Sequence, residues 1–169
     1  MHFNLVDLDV TTRQLMLEEF ESDAGSSRVY ASKRARPGTE STYHDAQRTA
    51  FAGGDADSLN HALATSDIFA PRQSDGKVVN VLAAAEALGD GQFVAYYVRA
   101  ICRRALDEAR EIEVYRGQAT ALHRSESDAL IGSRPDPAVL LAELRDASLE
   151  PWRFGAVGKV NSGLAIKLV

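Results

Sequence analysis

The sequence predicts an α+β fold: a helix-rich single domain with a small sheet and an extended C-terminal arm. Three observations carry that expectation. Phe93, Tyr97, Ile101 and Ala105 recur every four residues, with Val94, Val98 and Cys102 on the adjoining row, which is the spacing of one helix face. Directly downstream, Glu111-Ile-Glu-Val-Tyr-Arg changes from a helical period to alternation, with Ile112 and Val114 on one side, as a strand requires. The last residues alternate Leu164, Ile166 and Leu168 against Ala165 and Lys167, after a glycine-containing stretch without a helix period. Residues 1–152 are read as the domain and residues 153–169 as the arm.

The elements follow in order. Phe3 and Leu5 alternate as a short strand would, and Asp9 is a suitable N-cap for a helix over residues 10–23. Leu15, Met16 and Phe20 give that helix an inner stripe, leaving Glu18, Glu19 and Glu21 toward water. Residues 28–32 suggest a second short strand, and Arg36-Pro-Gly a turn. Thr39 or Ser41 caps the next helix, which carries Tyr43, Ala46, Gln47, Ala50 and Phe51 on one side and stops at Gly53-Gly54. A shorter helix, capped by Asp55 or Asp57, turns Leu59, Ala62 and Leu63 inward. After a polar loop over residues 71–79, Asn80 caps an alanine-rich helix over 81–88, and Gly89-Asp-Gly91 interrupts it before the central helix begins. The central helix carries Arg99, Arg103, Arg104, Asp107, Glu108 and Arg110 on its polar side, with Arg103/Asp107 and Arg104/Glu108 at ion-pair spacing. Asp136-Pro137 opens the last helix, whose apolar residues are Val139, Leu140, Leu141 and Leu144.

Composition narrows the function classes. A chain of 169 residues, 45% hydrophobic and 25% charged, is long enough for one core and ordinary for a globular protein. Its net charge of -5 opposes a general electrostatic hold on nucleic acid. The longest mostly apolar stretch, residues 78–88, falls far short of the roughly 20 residues that cross a bilayer. The N-terminal residues have acids where a secretory signal carries positive charge, so synthesis and residence in a cytoplasm are expected. The single cysteine, Cys102, sits in an apolar helical pattern and reads as a small buried hydrophobe. Against the acidic total stands one basic run, Arg28, Lys33, Arg34 and Arg36, with no acid between residues 28 and 36. It suits a solvated loop or the docking site of an acidic partner better than a phosphate site.

No reaction is named by the remaining residues. The histidines at 2, 44, 61 and 123 lack metal-ligand spacing, so no metal is expected. Asp55-Ala-Asp57 begins like a calcium loop, but Leu59, Asn60 and Ser66 stand where that loop needs a ligand, a glycine and a glutamate. Phosphate-cradling glycine patterns and a Gly-x-Ser-x-Gly elbow are both missing, so no cofactor and no catalytic residue are assigned. Val114-Tyr-Arg-Gly117 resembles the arginine strand of the ADP-ribosyltransferases, but the Glu-x-Glu or Gln-x-Glu loop of that family does not follow. A strand end and a turn account for it.

A second resemblance covers more than half of the chain. It is carried by Ala83-Ala-Ala-Glu-Ala-Leu-Gly-Asp-Gly-Gln-Phe, Tyr97-Val-Arg-Ala-Ile-Cys-Arg-Arg-Ala, Glu113-Val-Tyr-Arg, Ser125-Glu-Ser-Asp-Ala-Leu-Ile-Gly and Asn161-Ser-Gly-Leu. With these the chain resembles small virion-associated proteins of actinobacterial phages and prophages. The resemblance implies a virion structural protein, such as a minor capsid, capsid-decorating or head-joint component, made in the host cytoplasm and present in many copies of a symmetric assembly. Its partners would be the major capsid protein or other virion subunits. Leu164, Ile166 and Leu168 would then add to a neighbour's sheet or groove, and Arg28, Lys33, Arg34 and Arg36 would meet an acidic patch. Phe93, Tyr97 and Ile101 would be core, residues 125–132 a loop, and Asn161-Ser-Gly163 a bend before the last strand. Two other readings stay open: a regulator contacting DNA or a host protein through Arg99, Arg103, Arg104 and Arg110, and an enzyme built around Glu113, Tyr115 and Arg116.

Overall fold

One long helix organises the chain. The structure is a computed structural model and describes residues 2–119, 125–159 and 161–169. Its elements run α1 (Val10–Gly25), α2 (Glu40–Gly53), α3 (Ala56–Thr65), α4 (Val81–Glu108), β1 (Ile112–Arg116), α5 (Ser125–Asp128), α6 (Pro137–Asp146), a 3-10 turn (Pro151–Arg153) and β2 (Leu164–Leu168). The fold is helix-rich α+β with a small antiparallel sheet. At 28 residues, α4 is about 42 Å long, and it packs against α1, α3, α6 and both strands. Its predicted stripe, Phe93, Tyr97, Ile101 and Ala105, is fully buried together with Val94, Val98 and Cys102. Burial pushes the Cys102 thiol up to about 12, which keeps it an un-ionised apolar group. Edge contacts between Phe20, Phe51, Phe93 and Tyr96 join α1, α2 and α4 at centroid separations of 5.5–5.7 Å.

The capping residues start the helices as expected. Asp9, Asp55, Asn80 and Asp136 each accept a hydrogen bond from a first-turn backbone N–H. Asp55 and Ser58 cap each other's backbone reciprocally. Thr39 precedes α2 without a side-chain cap, its hydroxyl donating to the Arg36 carbonyl instead.

Several expectations are corrected. Residues 81–88 and the central helix are one continuous helix through Gly89 and Gly91. Glycine costs about 1 kcal/mol relative to alanine inside a helix, and close approach of α3 offsets it at Gly89: a Cβ there would lie 1.9 Å from Asn60 Oδ1. Gly89→Ala is therefore expected to destabilise by about 1–3 kcal/mol through overpacking, and Asn60→Ala in the same chain should return part of that loss. Urea unfolding of the two variants checks it. Residues 3–5 form no strand; Asn4 N donates to the Gly117 carbonyl at 2.7 Å, and the Asn4 carbonyl accepts from the Tyr115 hydroxyl. Residues 28–32 form no strand but an irregular stretch with one bend at Val29, and Arg28 N closes back onto the Asp23 carbonyl at 2.8 Å. The loop expected over 125–132 holds the short α5, and Gly132 N and Ser133 O pair with Val114 on the outer edge of β1.

The largest correction concerns the C-terminus. β2 pairs antiparallel with β1 of the same chain, Ile112 opposite Leu168, Val114 opposite Ile166 and Arg116 opposite Leu164. Leu164 and Ile166 are 0% exposed and Leu168 is buried. The outer edge of β2 is also engaged: Leu168 N donates to Asp7 Oδ2 at 2.8 Å, and Tyr97 Oη–H donates to the Ile166 carbonyl at 3.1 Å. The last strand of residues 153–169 thus completes the domain's own core, and Leu164, Ile166 and Leu168 are not a free arm for a neighbour. Burying three large apolar side chains inside the chain is favourable without any assembly. Val160, within that segment, lies outside the described residues.

A buried ionic cluster locks α1, α4 and α6. Arg99, placed on the polar side by periodicity, is 4% exposed and forks onto Asp23 at 2.6 and 3.1 Å, its Nε donating to Glu19 at 2.8 Å. Arg145 from α6 forks onto the same Glu19 at 2.6 and 3.1 Å, and Tyr96 donates to Asp23 at 2.8 Å. Glu19, expected in water, is buried. Burial alone would raise its carboxyl; the hydrogen bonds and charges of Arg145 and Arg99 outweigh burial and hold it below the ordinary carboxylate range.

Asp90 is the opposite case. It is buried on α4, its Oδ1 accepting from Asn60 Nδ2 at 2.7 Å. Burial raises its carboxyl more than the hydrogen bonds from Asn60 and Gln118 lower it. A folded-state value above the unfolded one contributes stability at low pH that is lost as pH rises through the raised value. Asp90→Asn is expected to remove that loss, flattening the decline of the urea midpoint from about pH 4 upward. A parent-like pH profile in the variant would contradict the assignment.

Candidate functional site

A cleft of about 680 Å³ lies beside the N-terminal half of α4. Its floor is a helical stripe, Ala84, Ala87, Leu88, Gly91 and Gln92, of which Ala87 is exposed and Gly91 half-buried. Small residues at this spacing leave room where a larger side chain would fill the cleft. One wall is the turn carrying Tyr30, Ser32, Lys33 and Arg34; the other carries Trp152, Ala156, Gly158, Lys159 and Asn161, with Glu126 and Ser127 of α5 nearby.

Local bonding explains why the walls stand where they do. Arg36 N donates to the Ile68 carbonyl at 2.7 Å and Ala70 N to the Arg34 carbonyl at 2.8 Å, which pins the basic loop to residues 68–70. The second wall begins with Pro151 in the 3-10 turn and is anchored in the core by Phe154 and Val157. Gly158 has φ +101, a conformation that suits glycine, and it lies against Leu144, whose Cδ2 would be 3.0 Å from an added Cβ. Across the mouth, Tyr30 and Trp152 meet edge to face at 6.4 Å. Trp152 is 58% exposed, unusual for a tryptophan.

The cleft concentrates positive charge on an acidic protein. Lys33, Arg34 and Lys159 face one acid, Glu126, while the whole chain carries -5. Among the described residues none of the three cations has an ion-pair partner. Gln92, only 5% exposed, lines the floor, and its Oε1 accepts from Gln47 Nε2 at 3.4 Å. Behind it on α2, Gln47 Oε1 and the Tyr43 hydroxyl are buried without hydrogen-bond partners, and burial pushes the Tyr43 phenol far above its usual range.

The basic run expected as an interaction site divides. Lys33 and Arg34 line the cleft. Arg28 instead donates to the Arg145 and Asp146 carbonyls, both at 3.0 Å, satisfying the C-terminal end of α6. Arg36 pairs with Asp67 at 3.1 Å. Tyr30, Gln92, Trp152 and Lys159 were not foreseen as site residues; a lone tryptophan after a proline in a polar stretch was the signal available for one of them.

The other candidate groups are engaged in the fold. Arg103 reaches Glu18 at 2.9 Å and Glu19 at 3.4 Å instead of Asp107; Arg104 holds Asp9 and Glu108; Arg110 holds Glu108. With Arg99 buried, the arginine face is a structural seam. Arg116 is bound to Asp128 and the Ser162 carbonyl, the Tyr115 hydroxyl donates to the Asn4 carbonyl at 2.7 Å, and Glu113 pairs with Lys167 at 3.2 Å. Among the described residues, no group of three or more His, Cys, Asp or Glu is placed to hold a metal ion, and no helix is long and apolar enough to cross a membrane. His123 lies outside the described residues. Comparison with protein-family models, with curated proteins and with solved structures finds no match for this chain.

Proposed function

We propose that the chain is a non-enzymatic assembly component, of the virion structural kind its sequence resembles, that docks through its basic cleft on the acidic surface of a partner subunit such as a capsid protein. The observation that supports this most directly is three cations without an ion-pair partner among the described residues, gathered with an exposed tryptophan at one cleft of a net-acidic chain. Aromatic and arginine side chains beside an apolar floor are the usual anchors of protein interfaces. Among the described residues the cleft lining contains serines but no histidine or cysteine. Multivalent display on a symmetric shell would sum individually weak docking contacts.

Light-scattering mass of the free protein, followed by co-sedimentation with candidate shells, tests the reading. The parent chain is expected to sediment with shells in a salt-sensitive manner, and the double variant Arg34→Glu/Lys159→Glu to lose at least about tenfold in apparent affinity. Equal sedimentation of parent and variant, or none by the parent, would reject it.

A further inference from the structure

We infer that the cleft recognises a short acidic peptide segment anchored by one aromatic side chain, with carboxylates on either side of the anchor. This deepens the docking role proposed above and rests on it. The geometry separates the two chemistries. The floor, Ala84, Ala87 and Leu88, is apolar and made mostly of small residues, and Trp152 and Tyr30 stand beside it. Trp152 is 58% exposed and meets Tyr30 edge to face at 6.4 Å, so a ring laid there adds to an existing aromatic pair. The volume of about 680 Å³ falls in the range of preformed ligand sites and exceeds what a lone inorganic anion fills.

The charges lie on two walls. Lys33 and Arg34 belong to the turn on one side and Lys159 to the segment on the other. Carboxylates spaced along a peptide can satisfy cations on both walls, whereas a phosphate cradle gathers backbone N–H groups or cations at one point. Glu126 in the same lining opposes the dense charge of a polyphosphate and is tolerated by dispersed carboxylates. Gln92 adds a buried amide on the floor: with its Oε1 engaged by Gln47, its Nε2 donors suit a main-chain carbonyl of the bound segment.

Trp152 is the only tryptophan, so its fluorescence reports occupancy of the cleft directly. The full chain would be titrated with the peptide Glu-Asp-Phe-Asp-Glu, blocked at both ends, with the same peptide carrying alanine for phenylalanine, with its lysine-substituted counterpart, and with ATP. Saturable binding of the first peptide is expected, at least tenfold tighter than the alanine version, with no binding of the lysine peptide. Arg34→Glu/Lys159→Glu should weaken it at least tenfold while leaving the melting temperature unchanged. Equal affinity for the phenylalanine and alanine peptides would overturn the aromatic anchor. Preference for ATP over every peptide would overturn the peptide itself. If no peptide binds but the parent still co-sediments with shells and the double variant does not, this inference fails and the docking role stands. If neither assay depends on Arg34 and Lys159, both fail.

Discussion

Arg99→Met is expected to lower the unfolding free energy by about 3–5 kcal/mol, the usual cost of removing one member of a buried ion pair. Arg99 meets Glu19 and Asp23 in a region where all three side chains are at most 8% exposed. Methionine keeps much of the volume but leaves Asp23 with the Tyr96 hydroxyl as its remaining buried donor, and leaves Glu19 dependent on Arg145 and a longer contact to Arg103. The magnitude is decided by desolvation: each carboxylate was taken from water on the condition that the guanidinium fork replaced its hydration. Urea unfolding at neutral pH measures it. The pH dependence gives an independent sign. The lowered Glu19 carboxyl contributes stability that is present above its ordinary range and lost as pH falls through the lowered value. In Arg99→Met that contribution shrinks, so parent and variant should converge below about pH 4. Adding Glu19→Leu and Asp23→Leu should recover much of the loss, because apolar replacement of a whole buried cluster is far less costly than breaking it. A cost under about 1 kcal/mol for Arg99→Met would mean that the cluster behaves as a solvated surface pair.

Ile166→Ala comes next in expected effect, at about 2–5 kcal/mol. Ile166 is fully buried at the centre of β2, opposite Val114, and its carbonyl receives the Tyr97 hydroxyl from α4. Removing residues 164–169 altogether should leave a chain without a cooperative thermal transition. It would expose the pairing edge of β1, strip the partner of Tyr97 and release Asp7 from Leu168 N. Circular dichroism melting of both variants checks this. A truncated chain that melts like the parent would make β2 peripheral to the fold.

How far these features could be read in advance differs from element to element. The helix caps Asp9, Asp55, Asn80 and Asp136, the α4 stripe, β1 and β2 were all legible, because each is encoded by neighbours within a few residues. Glycines 89 and 91 misled locally, since the reason for Gly89 is Asn60, a residue on another helix. Glu19 and Arg99 look like solvent-facing charges in their own helices, and only their mutual approach, eighty positions apart, makes burial tolerable. The cleft was half visible: Lys33 and Arg34 stood out as a basic run, whereas Tyr30, Gln92, Trp152 and Lys159 carry no periodic or motif signal and meet only through the packing of distant segments.

Local sequence therefore determined most of the helices and their caps, the strands β1 and β2, and the apolar side chains of the core, while also suggesting strands at residues 3–5 and 28–32 that the chain does not form. Tertiary structure decided what those side chains are buried against. The alternation of Leu164, Ile166 and Leu168 specifies a strand with an apolar face, and the same pattern would serve a neighbour's groove or the chain's own core. The choice lay with β1, whose pairing edge is met by this strand in register, so that its own C-terminus fills the site at an effective concentration no separate subunit matches.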